Sequence, residues 1–140
     1  MPGNKNSYAQ RATLDLWLGG QLPSVPATVY VALSLSPYDP AATGAALDEI
    51  TADSYARAAL ANTLANFPAA AGHDPALKTN GADIVFPAAT TDWGTAQSAY
   101  YLDAAAAGNV LYGGNFAEPA PILSGDTPTI PAGSFVVSED

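Results

Sequence analysis

No cysteine occurs anywhere in the chain. That excludes a disulfide framework, a thiolate nucleophile and a thiolate-ligated zinc. It also leaves the redox compartment unreadable. Positive charge is nearly as scarce. Lys5, Arg11, Arg57 and Lys78 are the only basic side chains besides one histidine, against 13 acidic residues, for a net charge of −9. Binding to a phosphate backbone draws its affinity from clustered Lys and Arg, so no nucleic-acid partner is expected. An anionic membrane surface is disfavoured for the same reason. No apolar run approaches the roughly 20 residues that span a bilayer. The opening stretch, MPGNKNSYAQR, is polar throughout, so no signal peptide is expected and synthesis in a host cytoplasm is the reading.

The residues that run reactions are missing too. His73 is the single histidine and sits in GHDPA, a loop composition. A lone His makes no triad without a nucleophile and an orienting acid around it. No G-x-S-x-G elbow is present. Gly19-Gly20 and Gly113-Gly114 lack the Lys-Ser/Thr or the spaced glycines of a phosphate loop. Hard cations need several oxygen ligands at close spacing. The densest acids are Asp48-Glu49 with Asp53, and then Glu139-Asp140, with no D-x-D-x-D-G loop. Asp92, Asp103 and Asp126 each fall at a turn signal, where Asp is favoured because it bonds a nearby backbone N–H. Scattered acids give a paired-carboxylate glycosidase no specific support. No enzyme activity, cofactor or metal is expected.

What the chain does have is apolar surface in short pieces. A length of 140 residues indicates one domain, able to bury about 70% of its unfolded surface. Hydrophobic residues make up 49%, many of them Ala, and charged residues 12%, about half the usual quarter. So little charge fits either a large area hidden in an assembly or a Ser/Thr/Asn/Gly-rich surface.

Asn6 to Leu18 predicts a helix, capped by Asn6 or Ser7. Ala12, Leu14, Leu16 and Leu18 supply apolar positions, and Gly19-Gly20 ends it. Pro23 and Pro26 keep the next stretch extended. Thr28 to Ser36 alternates as a half-buried antiparallel strand, with Val29, Val31, Leu33 and Leu35 on one face. Pro37 to Gly44 is a loop, and Leu47 to Ile50 a brief edge strand. Ser54 to Phe67 fits strand or helix by pattern. Pro68 to Pro75 is a loop. Beyond it come strands at Ala82–Phe86, Gln97–Leu102 and Val110–Phe116, the last loosened by Gly113-Gly114. Later strand candidates are Ile122-Leu123, Ile130 and Phe135–Val137. Turn signals separate all of these pieces.

From Ala82 to Gly114 the sequence resembles a family of small phage virion proteins, often labelled tail-fibre proteins. The resemblance rests on Ala82-Asp83-Ile84, Phe86-Pro87, Asp92-Trp93-Gly94, Asp103-Ala104-Ala105, Gly108-Asn109 and Leu111-Tyr112-Gly113. Gly125-Asp126 and Ala132-Gly133 follow in the family's order. The match is weaker but collinear over the helix, over Pro26 to Ser34, and over Tyr55-Ala56-Arg57, where it implies the start of a strand. The chain departs at Asp48 to Ser54, where relatives are Gly-rich, and at Thr95-Ala96-Gln97, where they carry "VTH".

Short strands with frequent turns suggest a mainly β chain, an antiparallel β-sandwich or jelly-roll-like barrel with an N-terminal helix. Residues 1–20 are expected as a helical arm and 21–140 as one sandwich domain. The resemblance implies a structural virion component with no catalytic residues. Two placements compete. The compact domain without fibrous repeat leans towards a capsid decoration or cement protein, expected as a homotrimer bound to the major capsid protein or another virion protein. The family label points to the tail. A host-glycan-binding module using Trp93 and exposed tyrosines is the third reading. The candidate assembly residues are Leu14, Trp17, Leu18, Tyr55, Arg57 and Trp93. Arg57 is expected to pair with a turn aspartate. Trp93 either stacks on a sugar or plugs one end of the sandwich.

Overall fold

The computed structural model describes residues 1–139; Asp140, expected as the end of the sandwich domain, lies outside the described residues. The elements in chain order are β1 (Pro2–Lys5), α1 (Ser7–Trp17), β2 (Thr28–Ser34), β3 (Ala58–Ala61), β4 (Ala76–Thr79), β5 (Ile84–Val85), β6 (Gly94–Leu102), β7 (Val110–Ile122), β8 (Thr129–Ile130) and β9 (Val136–Glu139). Seven strands form one curled sheet in the order β3-β2-β6-β7-β1-β9-β4, while β5 and β8 pair separately. The protein is mainly β, with one short N-terminal helix and a seven-stranded sheet that makes a half-barrel.

β2, β6 and β7 form the centre of this sheet by antiparallel pairing, with Val31 opposite Tyr101 and Tyr101 opposite Tyr112. Their alternation sends Val29, Val31, Leu33, Ala99 and Tyr101 into the concave core. Phe135 stacks on Tyr101 at 4.3 Å, and Phe67 meets it edge-on at 5.6 Å. Ile84, Phe86 and Ile130 bring the small β5–β8 sheet onto the same core. β2 departs from the expected half-burial. Its outer residues Ala32 and Ser34 are also buried, because Tyr38, Ala42 and Leu47 roof the outer face over Tyr100, Leu102 and Val110.

α1 follows the expectation closely. The Asn6 side chain accepts from the Tyr8 N–H at 3.1 Å, and Gly20 at φ 65° leads the chain out. The five residues before Asn6 do not belong to a helical arm. Pro2–Lys5 of these enter the sheet as β1, antiparallel to β7 through Asn4 opposite Gly113, and parallel to β9 through Gly3 opposite Val137. The sheet is therefore mixed. The first five residues have no strand pattern of their own; pairing on both sides supplies it. Leu47–Ile50 is reduced to a single bridge, Ser34 to Glu49. The ambiguous 54–67 stretch contains β3 followed by a turn closed from Phe67 N–H to the Thr63 carbonyl. β4 was not anticipated; it lies at the edge of the 68–75 loop and pairs with β9.

Asn80 is fully buried and joins distant segments. It donates to the Ala82 and Pro131 carbonyls and accepts from the Phe135 N–H at 2.9 Å. Gly113-Gly114, read as a loosening of the strand, have a packing role instead. A Cβ on Gly114 would lie 2.2 Å from the Pro2 carbonyl oxygen and 2.8 Å from Gly3 Cα. Gly114→Ala should destabilise by about 1–3 kcal/mol, the range for overpacking a close contact. It should also weaken amide-exchange protection at Asn6, whose N–H donates to the Leu111 carbonyl at 2.9 Å where β1 meets β7. Protection equal to the wild type would remove the steric account of β1 docking.

Candidate functional site

The segment Ser54-Tyr55-Ala56-Arg57 leads into β3, and each of its polar side chains reaches a different part of the fold. Ser54 Oγ accepts from the Thr90 N–H at 3.0 Å and from Trp93 Nε1 at 2.9 Å. The Tyr55 ring stands edge-on to Trp93, centroids 5.3 Å apart. Its hydroxyl donates to Glu49 Oε1 at 2.7 Å and accepts from the Leu33 N–H at 3.1 Å. Arg57 Nε and Nη2 each donate to a Glu49 oxygen at 2.8 Å. Nη1 donates to the carbonyls of Ala104 and Ala107, and Nη2 also reaches that of Gly44.

The guanidinium side chain is only 3% exposed and Glu49 20%. Burying a charge is tolerated when it is paired and its other donors are satisfied, and both conditions hold. Arg57 was expected to pair with a turn aspartate; Glu49 takes that place. The reason is register. The Ser34–Glu49 bridge sets Glu49 beside β2, and β2 pairs with β3 just beyond Arg57. Burial first, and then the bond to Glu49, push the Tyr55 hydroxyl pKa well above its ordinary value.

This cluster is a clamp. Both Glu49 oxygens accept bonds from the groups they hold in place. Trp93 is 4% exposed and offers no face to a sugar. The turn aspartates bond backbone, as their positions suggested. Asp92 accepts from the Ser124 N–H, Asp103 from the Asn109 N–H and Asp126 from the Leu123 N–H. Among the described residues no three His, Asp or Glu side chains gather. No helix among them is long and apolar enough to cross a membrane.

The six candidate residues thus divide. Tyr55, Arg57 and Trp93 come together inside the chain's own contacts. Leu14, Trp17 and Leu18 lie on the outside of α1, at 62%, 78% and 85% exposure, and no residue of α1 is buried. Two further large apolar side chains, Leu22 and Val25, are also exposed just beyond. Sequence reasoning passed over them because Pro23 and Pro26 remove any periodicity that would assign them a face. Glu49 was visible as part of an acidic group, yet its role depended on a contact across the sheet.

Arg57→Lys should cost about 2–4 kcal/mol in chemical denaturation, since an ammonium makes neither the paired bonds to Glu49 nor the fork to the turn carbonyls. A loss below about 0.5 kcal/mol, the level of an ordinary surface change, would sink the clamp. The Tyr55 hydroxyl adds an alkaline dependence. Its folded pKa is raised, so its contribution is complete below the unfolded value of about 10 and is lost as pH rises above that. Circular dichroism against pH should show stability falling above about pH 10, and falling less in Tyr55→Phe. Equal alkaline losses in the two proteins would count against it.

No curated protein matches this chain. A family model matches residues 4–138, a span that holds α1, the clamp and both sheets. The chain belongs to the family described as Podophage GP4 fiber I protein gp80.

Proposed function

We propose that this chain is a non-enzymatic structural subunit of a phage tail fibre, working in the virion as a homotrimer that contacts another virion protein. The family match supports the virion and fibre parts of this reading. It moves the weight from the capsid surface, where the sequence leaned, to the tail. Capsid decoration stays as the second reading because the residues form one compact domain with no fibrous repeat. A glycan-binding role loses its central residue, since Trp93 is spent in the interior.

The observation that carries assembly is the unburied apolar run of Leu14, Trp17, Leu18, Leu22 and Val25, each more than half exposed in the single chain. Full burial of one such side chain stabilises by roughly 1.5–3 kcal/mol. Covering five supplies on the order of 10 kcal/mol towards the entropy cost of association. A patch of this kind on a soluble protein marks a surface that another molecule covers. A second copy of the chain is the occupant we assign, because most soluble oligomers are closed assemblies of identical chains.

Two measurements test this. Quantitative mass spectrometry of purified virions should give on the order of a dozen copies, whereas hundreds per particle would favour capsid decoration. Light scattering should give a three-chain mass for the wild type and a single-chain mass for Leu14→Glu/Trp17→Glu. That variant should keep its fold because α1 buries no residue. A monomeric wild type would overturn the homotrimer. An unchanged mass in the variant would overturn the role of α1.

A further inference from the structure

Asn80 and Gly81 stand side by side where the fold needs both. Of the seven asparagines in the chain, only Asn80 is followed by glycine. Asn80 is fully buried, and both ends of its carboxamide are bonded. Nδ2 donates to the Ala82 carbonyl at 3.0 Å and to the Pro131 carbonyl at 2.9 Å. Oδ1 accepts from the Phe135 N–H at 2.9 Å. A carboxamide supplies this combination of two donors and an acceptor. Gly81 is set by space. A Cβ there would lie 2.7 Å from the Ala65 carbonyl oxygen and 2.7 Å from Pro68 Cδ.

The pair that packing requires is also a pair that reacts with itself. Asparagine is a thermolabile residue, and a following glycine has no side chain to hinder the approach of its nitrogen. The Gly81 nitrogen attacks Asn80 Cγ and loses its proton. The new N–Cγ bond closes a five-membered succinimide, and the Cγ–Nδ2 bond breaks with release of ammonia. Water then opens the ring at either carbonyl. One product is aspartate. The other is isoaspartate, whose backbone runs through the former side chain and is longer by one carbon.

In the folded chain the reacting groups are held apart by their other partners. Ring closure requires the Asn80 carboxamide to release its three bonds. It also requires the Gly81 N–H to leave the Asn66 carbonyl, to which it donates at 2.6 Å. Gly81 itself reaches the surface, so the block lies in these bonds and not in exclusion of water. Neither product fits the site. A carboxylate only accepts, so it would face the Ala82 and Pro131 carbonyls as a buried charge without a donor from them. Isoaspartate lengthens the backbone at a residue packed too closely for a single Cβ.

We infer that Asn80-Gly81 is a self-modification site that the fold holds inactive. A chain that stays open converts to the acid and does not return. Chemical modification of the open state makes unfolding a one-way step. The site shares no residue with the clamp or with the apolar run on α1, and its chemistry does not depend on how copies assemble.

The full chain, incubated in mildly alkaline buffer with and without guanidinium chloride, provides the test. Peptide mass spectrometry across residues 76–86 reads the conversion. In denaturant, Asn80 should convert over days and ahead of the other asparagines. In native buffer it should convert at least roughly a hundredfold more slowly, because the reaction runs through an unfolded fraction of about 10⁻³ or less. Converted chains carry one more negative charge and separate by ion exchange. After removal of denaturant, unconverted chains should regain the native circular dichroism and converted chains should not. Asn80→Asp, made directly, should behave as the aspartate product does. Three results would overturn the inference: equal conversion with and without denaturant, no conversion of Asn80 in denaturant, or an Asn80→Asp chain that melts at the wild-type temperature.

Discussion

Arg57 meets Glu49 through two parallel N–H···O bonds and spends its remaining reach on the carbonyls of Gly44, Ala104 and Ala107. Three separate stretches of chain converge on this one guanidinium: the roof over the outer face, the approach to β3 and the β6–β7 turn. The turn at 103–109 is mostly Ala and Gly, with little side chain to pack, and Ala107 holds a positive φ of 50°. Such a turn needs its carbonyls fixed from outside, and a planar fork of donors does this where a flexible ammonium does not. The same carboxylate that neutralises Arg57 also takes the Tyr55 hydroxyl. Through Tyr55 and Ser54 the clamp continues to Trp93. With only four basic residues to place, one is given to this junction and sealed in.

The consequence is that these side chains serve the fold. Glu49 is paired, the turn aspartates cap backbone, and Trp93 is packed. Apolar surface on α1 is left exposed. A sheet that does not close retains two end strands, and the core between them is finished by β5, β8 and the Phe67 turn rather than by further strands. The helix is attached through Asn6, through the bonds of Gln10 and Thr13 to Lys5, and through the half-buried Tyr8, Ala9, Ala12 and Leu16, which leaves Leu14, Trp17 and Leu18 exposed. Those side chains are therefore free to meet another molecule.

Local patterns carried the sequence reading where the physics is local. The Asn6 cap, the glycine exit from α1, the alternation of β2 and the turn aspartates all depend on neighbours within a few residues. They were legible for that reason. β1 was not. Pro-Gly-Asn-Lys has no strand propensity, and its conformation is imposed by β7 and β9 more than 100 residues away. The glycines that admit it looked like a flaw in β7 when β7 was considered alone. Tyr55-Ala56-Arg57 was recognisable as a marker, but its role depended on Glu49 arriving across the sheet. The candidate list mixed interior and exterior residues because aromatic and basic types signal importance without direction. Only Leu14, Trp17 and Leu18 proved exterior, and helical spacing alone does not say whether such a stripe faces a core or a partner.

Charge bears on how copies of this chain would associate in the proposed assembly. At −9 per chain, bringing subunits together accumulates like charge, and the resulting repulsion is screened only beyond about 8 Å at physiological ionic strength. Ion pairs between copies have few cations to draw on. Lys5 is engaged with Glu139, and Arg57 is buried against Glu49. Attraction must then come from apolar area, which is insensitive to net charge and is concentrated on α1 and the segment after it. The low density of charge works in the same direction. Fewer charged groups on the surface mean fewer to desolvate if two copies meet, which would lower the cost of covering the apolar patch. Scarcity of basic residues, the first property visible in the sequence, thus shapes both the interior, where one arginine is used as a clamp, and the way the outside makes contact.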